Sequence, residues 1–176
     1  LPRWARRLYG LPGLPTTDLS TTVTLRALQA ATALRRQRLA RGAVIIERPG
    51  YLGAIQAFSL FEPRFVSAPL EDDGVDVEAL AAATDTVRAK LFYAVPTFQN
   101  PSGVTYSLAK RKAAAAALRQ SDILFVEDDP YGELRFHGND LPMVSSFVEG
   151  RKIMLGTFSK IAAPGFRIGW LAADKE

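Results

Sequence analysis

The sequence predicts an α/β fold, with a mostly parallel sheet, helices on both faces and a last strand that runs antiparallel. Three observations carry this. Short, continuously apolar runs recur at AVIIE (43–47), KLFYAVP (90–96), ILFVED (123–128) and KIMLGTF (152–158), the pattern of strands buried on both faces. Helical patterns stand between them, and strands alternating with helices argue for a parallel sheet covered on both sides. The final connection breaks the alternation. Only a few residues separate KIMLGTF from FRIGWLAA (166–173), whereas a parallel crossover needs about a dozen or more.

Taken in order, TTDLSTTVT (16–24) is rich in threonine and serine and leads into LRALQAATALRRQRLA (25–40). There Leu and Ala recur at three- and four-residue spacing opposite arginines, which predicts a helix. After the first buried strand, RPGY breaks the chain and LGAIQAFSLF (52–61) is apolar enough for a helix packed on a sheet. RFVSAP (64–69) is a weaker strand, and DVEALAAAT (76–84) a helix. QNPSG (99–103) is turn chemistry, since proline and glycine both break regular structure. SLAKRKAAAAALRQ (107–120) is the clearest helix, with Ser107 as its N-cap.

Composition narrows the chemistry. The 176 residues are 48% hydrophobic, enough to bury a real core. Without cysteine there are no disulfides and no thiolate chemistry. A single histidine argues against a His/Cys zinc site and against a Ser/His/Asp triad. Sixteen arginines carry most of the positive charge, but RRQRLAR (35–41) has no interleaved aromatics and reads as a solvated helix end rather than a nucleic-acid patch. No apolar run approaches the roughly eighteen residues a membrane span needs, so a soluble, cytoplasmic protein is expected. The chain opens with Leu1 and reads as a piece of something longer.

Ligands of open α/β sheets bind beyond the carboxyl ends of the parallel strands. KLFYAVP leads to Asn100, ILFVED ends on Asp128 followed by Asp129, and KIMLGTF leads to Ser159 and Lys160. The short return loop brings Arg167 back to that edge. The rim therefore holds an amide, a carboxylate, hydroxyls, a lysine and a guanidinium. A lysine in such a crevice can condense with an aldehyde. Pyridoxal phosphate is such an aldehyde, and it also needs phosphate donors, a carboxylate for its pyridine nitrogen and a surface for each ring face.

Each residue also has a plainer reading. Lys160 reads alone as a surface lysine, Asn100 as a turn former, and Thr157 and Ser159 as strand-end hydroxyls bonded to backbone. Tyr51 and Tyr131 read as amphipathic core edges. EDD (127–129) reads as a magnesium site, although no second acidic cluster accompanies it. His137 is given no role, and Glu47 and Arg48 are read as structural.

FQNPSG, VEDDPYGELRF and GTFSKIAAPGFRIGW, in this order and spacing, resemble the fold type I pyridoxal-phosphate-dependent aminotransferases of class I/II. The branch of the 2-aminoadipate and kynurenine enzymes is the most similar, from about Ala43 to Ala173. The resemblance implies that Lys160 is the Schiff-base lysine and moves a proton once substrate displaces it. It implies that Asp128 pairs with the pyridinium nitrogen, while Asn100 and Tyr131 bond the phenolic oxygen of the ring. Thr157, Ser159 and Arg167 would hold the phosphate, with Tyr51 on one ring face and Pro130 on the other. The catalytic set implied is Lys160, Asp128 and Tyr131, with no metal.

The resemblance further implies that residues 1–176 are most of a cofactor-binding large domain. A smaller C-terminal domain would carry the arginine that grips a substrate carboxylate, and a homodimer would complete the site. The sequence departs from the family pattern in having no glycine from Leu14 to Arg41, where a glycine-containing phosphate loop is expected. The function implied is amino transfer between an amino acid and a 2-oxo acid. The alternatives are an effector domain of a GntR/MocR-type transcriptional regulator, which would need a DNA-binding module before Leu1, and a lyase or decarboxylase using the same cofactor.

Overall fold

The computed structural model describes residues 16–17, 42–87, 89–119, 121–166 and 168–173, with the side chains of all but 16, 17, 86 and 87. The expected helix over 25–40 and the altered phosphate loop lie outside them. The described strands are β1 (Thr16–Thr17), β2 (Ala43–Arg48), β3 (Arg64–Glu71), β4 (Gly74–Val75), β5 (Leu91–Ala94), β6 (Leu124–Asp128), β7 (Lys152–Thr157) and β8 (Gly169–Ala173). They form one sheet in the order β1-β8-β7-β6-β5-β2-β3-β4.

β3, β2, β5, β6 and β7 are parallel neighbours. β8 returns antiparallel against β7, with Gly156 opposite Trp170, as the short connection requires. The sequence reading missed the two-residue β4, which pairs antiparallel with β3. Gly74 makes that tight reversal possible: its φ of +142° is one that a side chain rarely tolerates.

Strand alternation divides the core into two layers. Ile45, Phe92 and Phe125 face one side, under α2 (Val77–Val87) and α3 (Leu108–Leu118), with Leu80, Ala114 and Leu118 packed against them. Val44, Ile46, Tyr93 and Val126 face the other side, under α1 (Leu52–Ser59), which contributes Ala54, Ala57 and Phe58. The helices thus cover both faces. Ser107 caps α3, its hydroxyl accepting from the Lys110 amide at 3.1 Å. The α2 reading shifts slightly. Asp76 lies just outside that helix and caps it by accepting from the Ala79 amide at 2.9 Å. Among the described residues no helix is long and apolar enough to cross a membrane.

The loop between β5 and α3 carries Asn100, and a buried cation ties it down. Arg111 is 1% exposed, and its guanidinium donates to the carbonyls of Tyr106 (3.0 Å), Pro96 (3.1 Å) and Pro142 (3.2 Å) and to the Thr97 hydroxyl (2.9 Å). Desolvation draws its pKa below the usual arginine value, while Glu127 and Asp129 act to restore it. Arg111→Met keeps the stem but leaves these acceptors unpaired. It is expected to cost about 2–4 kcal/mol, read by denaturant unfolding.

Candidate active site

The carboxyl ends of β5, β6 and β7 lie side by side, with Asp128 opposite Leu155 in the ladder. The run EDD alternates across the sheet. Glu127 accepts from the amides of Val144 (3.0 Å) and Ser145 (2.7 Å), and Asp129 accepts from the Gly132 amide at 2.9 Å. Asp128 faces the α1 side and accepts from the Tyr93 hydroxyl at 2.6 Å. Because successive carboxylates point apart, they do not converge on one point. No His/Cys/Asp/Glu group among the described residues could hold a metal ion.

Asp128 is 2% exposed. Burial pushes its pKa up to about 7, Asp129 and Glu47 push the same way, and the Tyr93 hydrogen bond opposes them. Tyr51, half-buried at the start of α1, is close enough that Asp128 and Tyr131 add to the effect of burial and raise its phenol. The Tyr51 ring lies across Gly53, where a Cβ would come within 2.7 Å of it. Only glycine leaves the ring in that place.

Asn100 and Tyr131 meet, the amide donating to the phenol oxygen at 3.3 Å. Both border an open groove of about 660 Å³, walled by Phe98, Pro101, Leu134 and Phe136. The Asn100 turn is pinned from beneath. Gln99 donates to Glu47 (3.1 Å) and to the Pro49 carbonyl (2.8 Å), and accepts from the Ser102 amide (2.9 Å) and hydroxyl (2.6 Å). Glu47 also accepts from Tyr106 at 2.7 Å and from the Val95 amide at 3.2 Å. Burial lifts Glu47 to about 7 against those hydrogen bonds. Its structural reading therefore stands, in a specific form: it fastens the strand-end turn that presents Asn100.

Beyond β7 the expectations divide. The Thr157 hydroxyl is buried and accepts from the Ser159 amide at 3.0 Å, so the plainer strand-end reading describes its present bonding. The Ser159 hydroxyl is buried with no hydrogen-bond partner among the described residues. Lys160 stands in the turn that follows β7, and its side chain is exposed. Arg167 lies outside the described residues. Pro130 is half-buried between Asp129 and Tyr131, and His137 is exposed.

The site thus has three parts. A buried carboxyl near half-ionisation at neutral pH, beside an aromatic ring, is set to receive a cation or a protonated heterocycle. An amide–phenol pair offers donors to a ring oxygen. An orphaned buried hydroxyl, next to a lysine, suits an anion that would complete its hydrogen bonding. Sequence reasoning missed Tyr93. A tyrosine inside an apolar strand reads as core, and its partner lies 35 residues away.

The profile described as Aminotransferase class I and II matches residues 14–176. Aromatic-amino-acid aminotransferase 1 of Thermococcus litoralis is 42% identical over 99% of this chain and 43% of its own length. A solved structure of Pyrococcus horikoshii kynurenine aminotransferase, in complex with PMP, with KYN as substrates and KYA as products, superposes with a TM-score of 0.87. That pair is 41% identical, covering 98% of this chain and 43% of that one. Thermus thermophilus LysN, an alpha-aminoadipate aminotransferase complexed with N-(5'-phosphopyridoxyl)-L-leucine, superposes with a TM-score of 0.79 at 35% identity. It covers 87% of this chain and 40% of that one. The chain spans less than half the length of these relatives. With a matching profile over nearly its whole length, it belongs to the class I and II aminotransferase family.

Proposed function

We propose that this chain is the cofactor-binding part of a pyridoxal-phosphate-dependent aminotransferase that moves an amino group between an amino acid and a 2-oxo acid. Asp128 carries the reading: a carboxyl 2% exposed, at a strand end, with a pKa of about 7, is a costly group whose burial a cationic partner would repay. The pyridoxal group fits the three parts of the site, and its fit at the anion end rests on the orphaned Ser159 hydroxyl. The names of the relatives favour amino transfer over the lyase and decarboxylase alternatives.

When bound, pyridoxal phosphate supplies an electron sink for charge developing at a substrate Cα. Asp128 would hold the ring nitrogen in its protonated form. Asn100 and Tyr131 would hold the ring's phenolic oxygen, Tyr51 would cover one ring face, and Pro130 the other. Ser159 and Arg167 would hold the phosphate. Thr157 supports Ser159 by accepting from its amide, and its own proton, now given to the Ile168 carbonyl at 3.5 Å, would have to turn from there to reach an anion. Lys160 would hold the aldehyde through Nζ and, when freed, take the proton from the substrate Cα.

On this reading residues 1–176 are large-domain sequence, while a second domain and a partner subunit supply the remaining substrate contacts. A cytoplasmic homodimer is the expected setting. The test is product analysis with the complete protein. Given pyridoxal phosphate and an amino-acid donor, it should release the matching 2-oxo acid once per cofactor, and turn over when a 2-oxo acid acceptor is added. Carbon dioxide in place of oxo acid would contradict transamination.

A further inference from the structure

We propose that Tyr93 is a positioning residue for this reaction, its hydroxyl aiming the Asp128 carboxylate at the cofactor's ring nitrogen and holding it ionised there. This rests on the reading of the site given above. The geometry is a 2.6 Å hydrogen bond between two groups that are 0% and 2% exposed, a length typical of a charge-assisted O–H···O⁻ bond. The direction of donation follows from burial, which together with Asp128 raises the Tyr93 phenol well above its ordinary value, so that it keeps its proton.

The donor is held firmly. Tyr93 pairs with Val126 in the parallel ladder, two residues before Asp128, so the two side chains and the hydrogen bond between them span an offset of about 6.6 Å along the strand direction. Phe58 of α1 packs edge-on against the ring at 5.8 Å and 73°. The ring therefore has little freedom, and neither has the carboxylate oxygen that accepts from it. Packing alone does not call for the hydroxyl, because phenylalanine would fill the same layer. A buried phenol is retained at a cost unless its hydrogen bond has a use.

The test is Tyr93→Phe in the complete protein, with three readouts. Carbon-13 titration of the Asp128 carboxyl in the cofactor-free protein should show its pKa raised by about one unit. Affinity for pyridoxal phosphate should fall about tenfold. The pH profile of the bound cofactor's absorbance should move, because the ring nitrogen loses its proton more readily. An unchanged carboxyl titration, or an unchanged absorbance profile, would overturn the proposal.

If the wild-type protein binds no pyridoxal phosphate, the reading of the site fails, and the aim toward a ring nitrogen fails with it. The cofactor-free carboxyl titration still decides separately whether Tyr93 governs Asp128. If Tyr93→Phe does not fold, the wild type labelled at tyrosine Cζ decides instead. The Tyr93 resonance should follow the ionisation of Asp128, and a flat response contradicts the coupling.

Discussion

Asp128→Asn is expected to leave pyridoxal phosphate bound while slowing amino transfer by roughly 10²–10³-fold. Asparagine has the shape of the carboxylate and keeps an oxygen to accept from Tyr93. It lacks the charge that would hold a ring nitrogen in its protonated form, so the cofactor's electron sink is weakened in the transition state while the ground-state contacts survive. The loss should therefore fall on kcat more than on cofactor affinity. Full activity in the variant would contradict the role given to Asp128.

The same substitution has a second consequence, in the cofactor-free protein. The folded-state pKa of Asp128 is about 7, above its ordinary 3.8, so the native state holds that proton more tightly than the unfolded chain. Stability falls with rising pH wherever the native state binds more protons. The penalty thus grows from about pH 4, is complete above about pH 7, and disappears when the carboxyl is replaced by an amide. Asp128→Asn should raise Tm relative to wild type at pH 8. The gain should shrink on acidification and vanish near pH 4. Glu47 and Asp129, lifted to about 7 and about 6, keep their own pH dependence in both proteins.

Lys160→Ala is expected to abolish covalent retention of the cofactor and to lower amino transfer by at least roughly 10³-fold. The wild type should keep pyridoxal phosphate through reduction and denaturation, and the variant should release all of it. Asp128, Asn100, Tyr131 and Ser159 remain in place, so weaker, reversible binding should persist. The side chain is exposed, so the substitution should change unfolding stability by less than about 0.5 kcal/mol. A covalent adduct surviving in the variant would place the reactive amine elsewhere.

The parts of the fold legible in the sequence are those set by burial. AVIIE, ILFVED and KIMLGTF could be read as central strands because a strand covered on both faces must be apolar at every position. The antiparallel return of β8 was legible from chain length alone, since so short a connection cannot make a crossover. β4 was not legible. Two residues carry no periodicity, and Gly74 marks the reversal only once its φ is seen.

The same division runs through the site. Asn100, Asp128 and Tyr131 stand where strand ends put them, and the structure joins Asn100 to Tyr131. Tyr93 and Glu47 could not be read as site supports, because the contacts that matter lie 35, 52 and 59 residues away in the chain. The exposure of Lys160 was not legible either. It depends on the path of the turn after Thr157, which local composition does not determine.

The most direct measurement is to incubate the protein with pyridoxal phosphate, reduce with borohydride and locate the modified residue by mass spectrometry. A single adduct on Lys160, among the six lysines of the chain, is expected. Labelling spread over Lys90, Lys110, Lys112 and Lys152, or no adduct at all, would contradict it.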